Sequence, residues 1–270
     1  MSNSAIGGWG SATPAPAVLR AGAVLDVVAA RGPRPVSLQE IAKEIGIARS
    51  SAANVCSALV ELRLLNAAQD GFVLGHRLVE LSGFYLAGSD PIQRFNDYCR
   101  MHENVHDFTI HLATMEGLES MNVARSYGRD AIAVAPRVGQ HLPANCTALG
   151  KAMLAQLDDA GVRSLLTSAG GLRAMTPLSK VDVDDLMRDI RGVRERGYAI
   201  NDEESYLGVF GVAVAVRGLP ESEGPYAVSC SMLKARLDDA GISAMLVILR
   251  DVAASVSGAG SSSDRLERAK

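Results

Sequence analysis

Aromatic side chains are scarce in this chain of 270 residues, only 4% of the total, so its core has to be built from Ala, Val, Leu and Ile. Long apolar stretches are missing too. The run Gly208 to Val216 is nine residues, about half of what a membrane-spanning helix needs. No basic segment precedes an apolar stretch at the N-terminus, where the first charge is Arg20, and no secretory signal is expected. Four cysteines (Cys56, Cys99, Cys146 and Cys230) lie far apart, with no Cys-x-x-Cys pair and no zinc-type spacing. Reduced, buried thiols in a cytoplasmic protein are the expectation. Gly7-Gly8-Trp9-Gly10 follows no strand pattern and so makes no phosphate loop. No cofactor is expected, and with 48% hydrophobic and 21% charged residues the chain can bury a core.

Excess positive charge is lacking as well. The net charge is −3, which excludes a general polyanion binder and confines any nucleic-acid contact to a local surface. The deficit is uneven. Residues 1–88 carry seven Lys/Arg against six Asp/Glu, and the remainder carries 20 against 24. A reader of DNA housed in the first part would be only faintly basic, relying on base contacts and dimer geometry more than on phosphate attraction.

Composition and pattern divide the chain into a Gly-rich flexible arm (1–15), a first domain (16–74), a helical connection (75–90), a second domain (91–256) and a flexible tail (257–270). In the first domain Val18, Ala21, Leu25 and Val28 mark one side of a helix that stops at Gly32-Pro33. Ser37 with Glu40 three residues on forms a capping box opening a second helix, which Gly46 ends. A third helix runs from about Ala48 to Arg63 with Ala52, Val55, Leu59 and Leu62 inward, followed by two short apolar runs about Gln69-Asp70-Gly71, a hairpin signal. Helix, glycine turn, helix, hairpin is the order of a winged helix-turn-helix. Arg49, Ser50, Ser51 and Asn54 then face outward near the start of the third helix, the end that enters the major groove, and Gln69 to Gly71 form a wing on the DNA backbone. In the connection Leu78, Leu81 and Tyr85 fall at helical spacing.

The second domain begins with a helix through about Val105. Strand patterns follow at Phe108–Leu112, Ser120–Ser126, Ala131–Ala135, Val209–Val216 and Tyr226–Met232. Helical patterns cover Thr147–Leu157, Asp182–Arg196 and Asp238–Val256, and Leu142-Pro143 opens a loop. Strands joined by turns and flanked by helices predict an α+β domain on an antiparallel sheet.

Two segments are specific when taken together: Leu142-Pro-Ala-Asn-Cys-Thr-Ala-Leu-Gly-Lys-Ala-Met-Leu-Ala, and Arg194-Glu-Arg-Gly-Tyr-Ala-Ile-Asn-Asp-Glu-Glu-Ser-Tyr-Leu-Gly-Val. With the stretch from Ile41-Ala to Gly71-Phe-Val-Leu-Gly-His-Arg-Leu-Val-Glu-Leu, the chain resembles the isocitrate-lyase-regulator (IclR) family of bacterial transcription regulators over about residues 16–256. The resemblance implies a winged helix-turn-helix, a linker helix and a GAF-like effector domain. It also implies binding of operator DNA as a homodimer, often paired into tetramers, and a pocket for a small organic acid or aromatic metabolite. That pocket maps onto Ala148 and Leu149, the loop Asn201 to Gly211, and Ser229 and Ser231. Asn201 stands where the family commonly has Asp, Gly211 where some members have a polar side chain, and Asn54 where Arg is frequent. Ser229 and Ser231, two apart on a strand, share a face, and their hydroxyls opposite backbone amides suit a carboxylate without a buried cation.

Rival chemistry is also written in the chain. His102-Glu103-Asn104-Val105-His106 fits the zinc-hydrolase pattern His-Glu-x-x-His, but strand residues follow from Phe108 and leave the helix too short beyond His106. The further ligand it needs would have to come from His111, Glu116 or Glu119, in a strand or turn directly after. Cys146 ahead of a helix suggests a lowered thiol pKa, and Glu203-Glu204 suggests paired carboxylates. A metal-dependent hydrolase, or a ligand-binding scaffold without DNA binding, are therefore the alternatives to a ligand-responsive transcription regulator that is no enzyme.

Overall fold

A computed structural model describes residues 15–129 and 136–258. Nearly all of the arm and tail, and the strand expected at Ala131 to Ala135, lie outside these described residues. The chain divides into two compact units, Met1–Gly88 and Ser89–Lys270.

The first unit contains α1 (Pro16–Ala30), α2 (Leu38–Glu44), α3 (Arg49–Glu61), the antiparallel pair β1 (Leu65–Ala68) and β2 (Gly71–Leu74), and α4 (Arg77–Gly88). The capping box is complete: the Ser37 hydroxyl accepts from the Glu40 amide and the Glu40 carboxylate accepts from the Ser37 amide at 2.9 Å. Gly46 takes φ 69°, which only glycine adopts without strain, and turns the chain into α3. Ala23, Val24, Val28, Ile41, Ile45, Cys56, Leu59 and Leu65 form the core. Two inward assignments fail. Val18 is 68% exposed in the first turn of α1, because Ala23, Val24 and Val28 define the buried side. Leu62 is 60% exposed, since α3 ends at Glu61 and Arg63 at φ 59° turns the chain away. Cys56 takes the inward place.

The wing differs from the expected Asp-Gly turn. Ala68 pairs with Gly71, so the loop is Gln69-Asp70, and neither residue has a positive φ. Gly71 instead opens β2 at φ 149°, where a Cβ would lie 2.2 Å from the Val36 carbonyl oxygen. Its place is set by the Val36–Phe72 bridge, which joins the loop before α2 to the hairpin.

The second unit contains α5 (Asp90–Met101), a 3-10 turn (Glu103–Asp107), β3 (Ile110–Glu116), β4 (Glu119–Ser126), β5 (His141–Pro143), α6 (Ala148–Leu154), α7 (Asp159–Ser168), α8 (Val183–Arg196), β6 (Ala199–Asp202), β7 (Val209–Val216), β8 (Tyr226–Leu233) and α9 (Asp239–Ser257). Six antiparallel strands run in the order β5-β4-β3-β8-β7-β6. Helices α5 and α9 pack on the sheet, and α6 packs on it and on α8. Alternation along the strands gives each helix layer its own side chains. Ala113, Ala199, Ala213 and Ala227 join α6 and α8 in one core with Leu149, Met153, Leu186 and Ile190. The small alanines let α6 lie close to the sheet, consistent with a core poor in aromatics. Two strands and a helix went unread. The segments taken as loops contain β5 and β6, each too short to show a period, and α7 lies between two recognised helices.

Candidate functional site

Helix α3 presents its polar residues as expected. Arg49, Ser50 and Asn54 are exposed, Ser51 is half-buried, and Ala52, Cys56 and Leu59 hold the opposite side in the core. Arg49 has no ion-pair partner among the described residues, whereas Arg34 is held by Glu40 at 2.9 Å and Arg31 by Glu44 at 3.3 Å. The first turn of α3 thus offers a free cation, hydroxyls and an amide on a rigid helix. Gln69 and Asp70 are exposed at the hairpin tip, and Gly71 is half-buried behind them.

In the second unit a cavity of about 490 Å³, open solvent at its mouth included, lies between the sheet and the segment entering α6. Strand pairing explains why distant residues meet there. Asn201 pairs with Gly211, Gly211 with Ser231, and Ser229 with His111, which places all five on neighbouring strands and one face. Ala148, Leu149, Asn201, Gly211, Ser229 and Ser231 all line the cavity. At Gly211 an added Cβ would lie 3.0 Å from the Ser231 hydroxyl, so the missing side chain is what keeps that wall open.

The lining is completed by Ser205, Tyr206 and Val209 of the expected Asn201 to Gly211 loop, and by His111, Pro136, Leu142 and Thr147, which the sequence did not assign to the pocket. Pro136, Leu142 and Val209 add apolar surface, and Thr147, Ser205 and Tyr206 add polar surface. Thr147 caps α6 by accepting from the Gly150 amide at 2.9 Å. His111, weighed earlier only as a zinc ligand, is 2% exposed on the wall. Burial, with the Arg125 charge nearby, pushes its imidazole down to about 4, so it is neutral at physiological pH. One signal was available: His111 interrupts the apolar side of a strand whose neighbours Ile110 and Leu112 point the other way. The register that sets it beside Ser229 was not readable.

Asn201 lines the cavity but spends its amide on the loop behind it. Its Oδ1 accepts from the Glu204 and Ser205 amides at 2.9 and 3.2 Å, and its Nδ2 donates to the Ser205 hydroxyl at 2.6 Å. An Asp could accept the same two amide bonds but could not donate the third. The loop is anchored deeper by Lys151, which is fully buried and donates to Glu204 at 2.7 and 3.0 Å and to Asp189 at 2.8 Å. Lys180 and Arg196 complete the network on Asp189. Burial alone would raise the Asp189 carboxyl, but the charges and hydrogen bonds of Lys151 and Lys180 bring it down to about 2.

The rival sites do not assemble. Helix α5 ends at Met101, so His102 is its C-cap and Glu103 to Asp107 form a 3-10 turn, which removes the single α-helix that His-Glu-x-x-His requires. The His102 ring stacks on Tyr98 and its Nδ1 lies 2.9 Å from the Tyr98 carbonyl. Among the described residues no three His, Cys, Asp or Glu side chains converge as metal ligands. Cys146 has its thiol pKa raised by burial, not lowered, and its Sγ donates to the Arg173 carbonyl. Glu203 and Glu204 do not work as a pair: Lys234 holds Glu203 at 2.6 Å and Lys151 holds Glu204. No helix among the described residues is long and apolar enough to cross a membrane.

Comparison with known proteins covers both units. Residues 17–68 match the IclR helix-turn-helix domain, and residues 88–258 match the bacterial transcriptional regulator IclR C-terminal domain. The HTH-type transcriptional regulator XynR of Escherichia coli is 30% identical over 210 residues, 76% of this chain and 81% of that protein. The p-hydroxybenzoate hydroxylase transcriptional activator of Acinetobacter baylyi is 27% identical over 186 residues, 67% and 68% of the two chains. An IclR homologue from Microbacterium hydrocarbonoxydans, solved in complex with 4-hydroxybenzoate, shares the fold with a TM-score of 0.73 at 21% identity, covering 90% of this chain and 98% of that one.

Proposed function

The chain belongs to the IclR family of bacterial transcription regulators, and from that footing we propose that it grips a palindromic operator as a dimer and alters that grip when a small aromatic or other organic acid enters its cavity. It is a ligand-responsive DNA-binding regulator, and regulators of this family are not enzymes. In the proposed complex Arg49, Ser50, Ser51 and Asn54 enter the major groove, with Asn54 placed to read adenine and Arg49 to hold phosphate. Gln69 to Gly71 rest on the backbone. What carries this reading is the uncommitted polar first turn of α3, on a helix whose other side is fixed in the core.

A dimer is supported by α4. It has no buried residue, and Val79, Leu81, Phe84 and Tyr85 are 46–74% exposed, apolar surface that a second copy of the chain would cover. Two such dimers pairing would give the tetramer. For the effector, Ala148, Leu149, Asn201, Gly211, Ser229 and Ser231 are the proposed contacts. Two similar proteins are tied to 4-hydroxybenzoate, one as the transcriptional activator of p-hydroxybenzoate hydroxylase and one in complex with the acid, which makes aromatic acids the first class to try. In this reading the protein acts on DNA in the cytoplasm. A gel shift with the DNA upstream of its own and its neighbouring genes tests the reading. A specific complex that Arg49→Ala weakens supports it. No shift at micromolar protein in low salt refutes it and leaves a ligand-binding scaffold.

A further inference from the structure

Among the side chains lining the cavity, His111 stands out because its hydrogen bonds are unmade. Its Nδ1 is buried with no partner among the described residues, and the residue is only 2% exposed. An imidazole with unmet hydrogen-bonding capacity on a cavity wall is a group that a bound ligand can engage. Its surroundings say which kind. Ser229, 4% exposed, is its register partner across β3 and β8 and turns a hydroxyl to the same face, with Ser231 two residues further on. On the other flank Arg125 is its register partner across β3 and β4, and the guanidinium donates to the carbonyl of Pro136, itself a lining residue, at 3.0 Å. Among the described residues no Asp, Glu, Lys or Arg lines the cavity, and the Asn201 acceptor is already saturated by two backbone amides. Asn122, 1% exposed and opposite Ala113 on the same side of the sheet, has no partner for either amide atom among the described residues. Donors and a flanking cation converge on one wall, with no anion among its described residues.

We propose that His111 is the specificity-determining residue for the effector's carboxylate, donating its imidazole N–H to one carboxylate oxygen beside the Ser229 hydroxyl. The inference rests on the reading of this cavity as the effector site and adds the end of the ligand that meets this wall. The apolar body of the ligand then lies against Leu142, Leu149, Tyr206 and Val209. Arg125 contributes through its field, since its two terminal nitrogens are committed to Pro136 and Tyr127. A neutral isostere of the acid, lacking the charge, gains only the weaker neutral hydrogen bonds from this wall.

Calorimetric titration of the full chain with 4-hydroxybenzoate and with 4-hydroxybenzamide tests the assignment. The wild type should bind the acid at least about tenfold tighter than the amide, as expected for a charge-assisted hydrogen bond in a buried site. His111→Phe should close most of that gap while leaving affinity for the amide nearly unchanged. His111→Gln restores an N–H donor without a titrating ring and should keep most of the discrimination. Equal binding of acid and amide by the wild type, or an undiminished gap in His111→Phe, overturns the role of His111 and leaves the cavity an effector site. Binding of neither compound by the wild type overturns both. Should His111→Phe bind neither, the Gln variant decides: discrimination retained supports the role, and discrimination lost overturns it.

Discussion

Replacing Lys151 by Met would test what holds the cavity's back wall. The side chain is fully buried, with its ammonium 2.8 Å from Asp189 and 2.7 Å from Glu204, side chains that are 12% and 5% exposed. Methionine fills nearly the same volume, so the loss is electrostatic. Removing one member of a buried ion pair costs about 3–5 kcal/mol, because the remaining charge is left without compensation in a poorly solvated place. Here the lower end applies. Lys180 stays 2.6 Å from Asp189 and 3.4 Å from Glu204, and Arg196 stays 3.3 Å from Asp189. A loss of about 3 kcal/mol lowers Tm by roughly 6–12 °C for a unit of this size. Urea unfolding followed by far-UV circular dichroism at neutral pH measures it. Glu204→Gln in the same background should recover part of the loss, with a coupling energy of about 1–3 kcal/mol. A loss in Lys151→Met below about 1 kcal/mol would refute the reasoning, since it would mean that the two carboxylates are solvated without the lysine.

Other outcomes follow from single sites. His111 is held neutral down to about 4, against 6.5 when unfolded, so its contribution to stability is intact above pH 6.5 and is lost as pH falls from there through about 4; urea midpoints across that range should drop, and His111→Phe should flatten the drop. Asp189 acts lower: its folded carboxyl at about 2 lies below the 3.8 of a free one, so its contribution is present above that free value and disappears as pH falls toward 2, a loss that Asp189→Asn should remove. Gly71→Ala would drive a Cβ to 2.2 Å from the Val36 carbonyl at a φ of 149°, and should lower the Tm of the first unit and weaken DNA binding together. Arg49→Ala and Asn54→Ala change exposed side chains and should leave Tm unmoved. The first should weaken binding to every DNA sequence and reduce the salt slope by about one, and the second should cost about 1–3 kcal/mol on the operator alone.

Much of this architecture was legible because it rests on local chemistry. Ser37 with Glu40 marked the start of α2, Gly46 its end, and Val209 to Val216 bounded β7 to the residue. Periodicity failed where elements were short or frayed. Leu62 kept the helical spacing but lies past the end of α3, and the three residues of β5 and four of β6 are too few to alternate visibly. The cavity residues Ser229 and Ser231 could be set on one face from their spacing alone. His111 and Lys151 could not be assigned in that way. One depends on the β3–β8 register and the other on ion partners 38 and 53 residues away. Gly71 was read as a turn glycine when its need comes from Val36, a residue 35 positions earlier.

The central claim is that one chain couples a cavity on its second unit to a DNA-reading helix on its first. Fluorescence anisotropy of a labelled upstream DNA fragment, titrated with the full chain in the presence and absence of saturating 4-hydroxybenzoate, tests it most directly. The account predicts a shift in Kd of at least about fivefold in either direction, the lower range of measured couplings between sites. The shift should vanish in Ser231→Leu, which fills the cavity of the second unit next to Gly211. An operator affinity unchanged by a ligand that calorimetry shows to be bound would contradict the coupling.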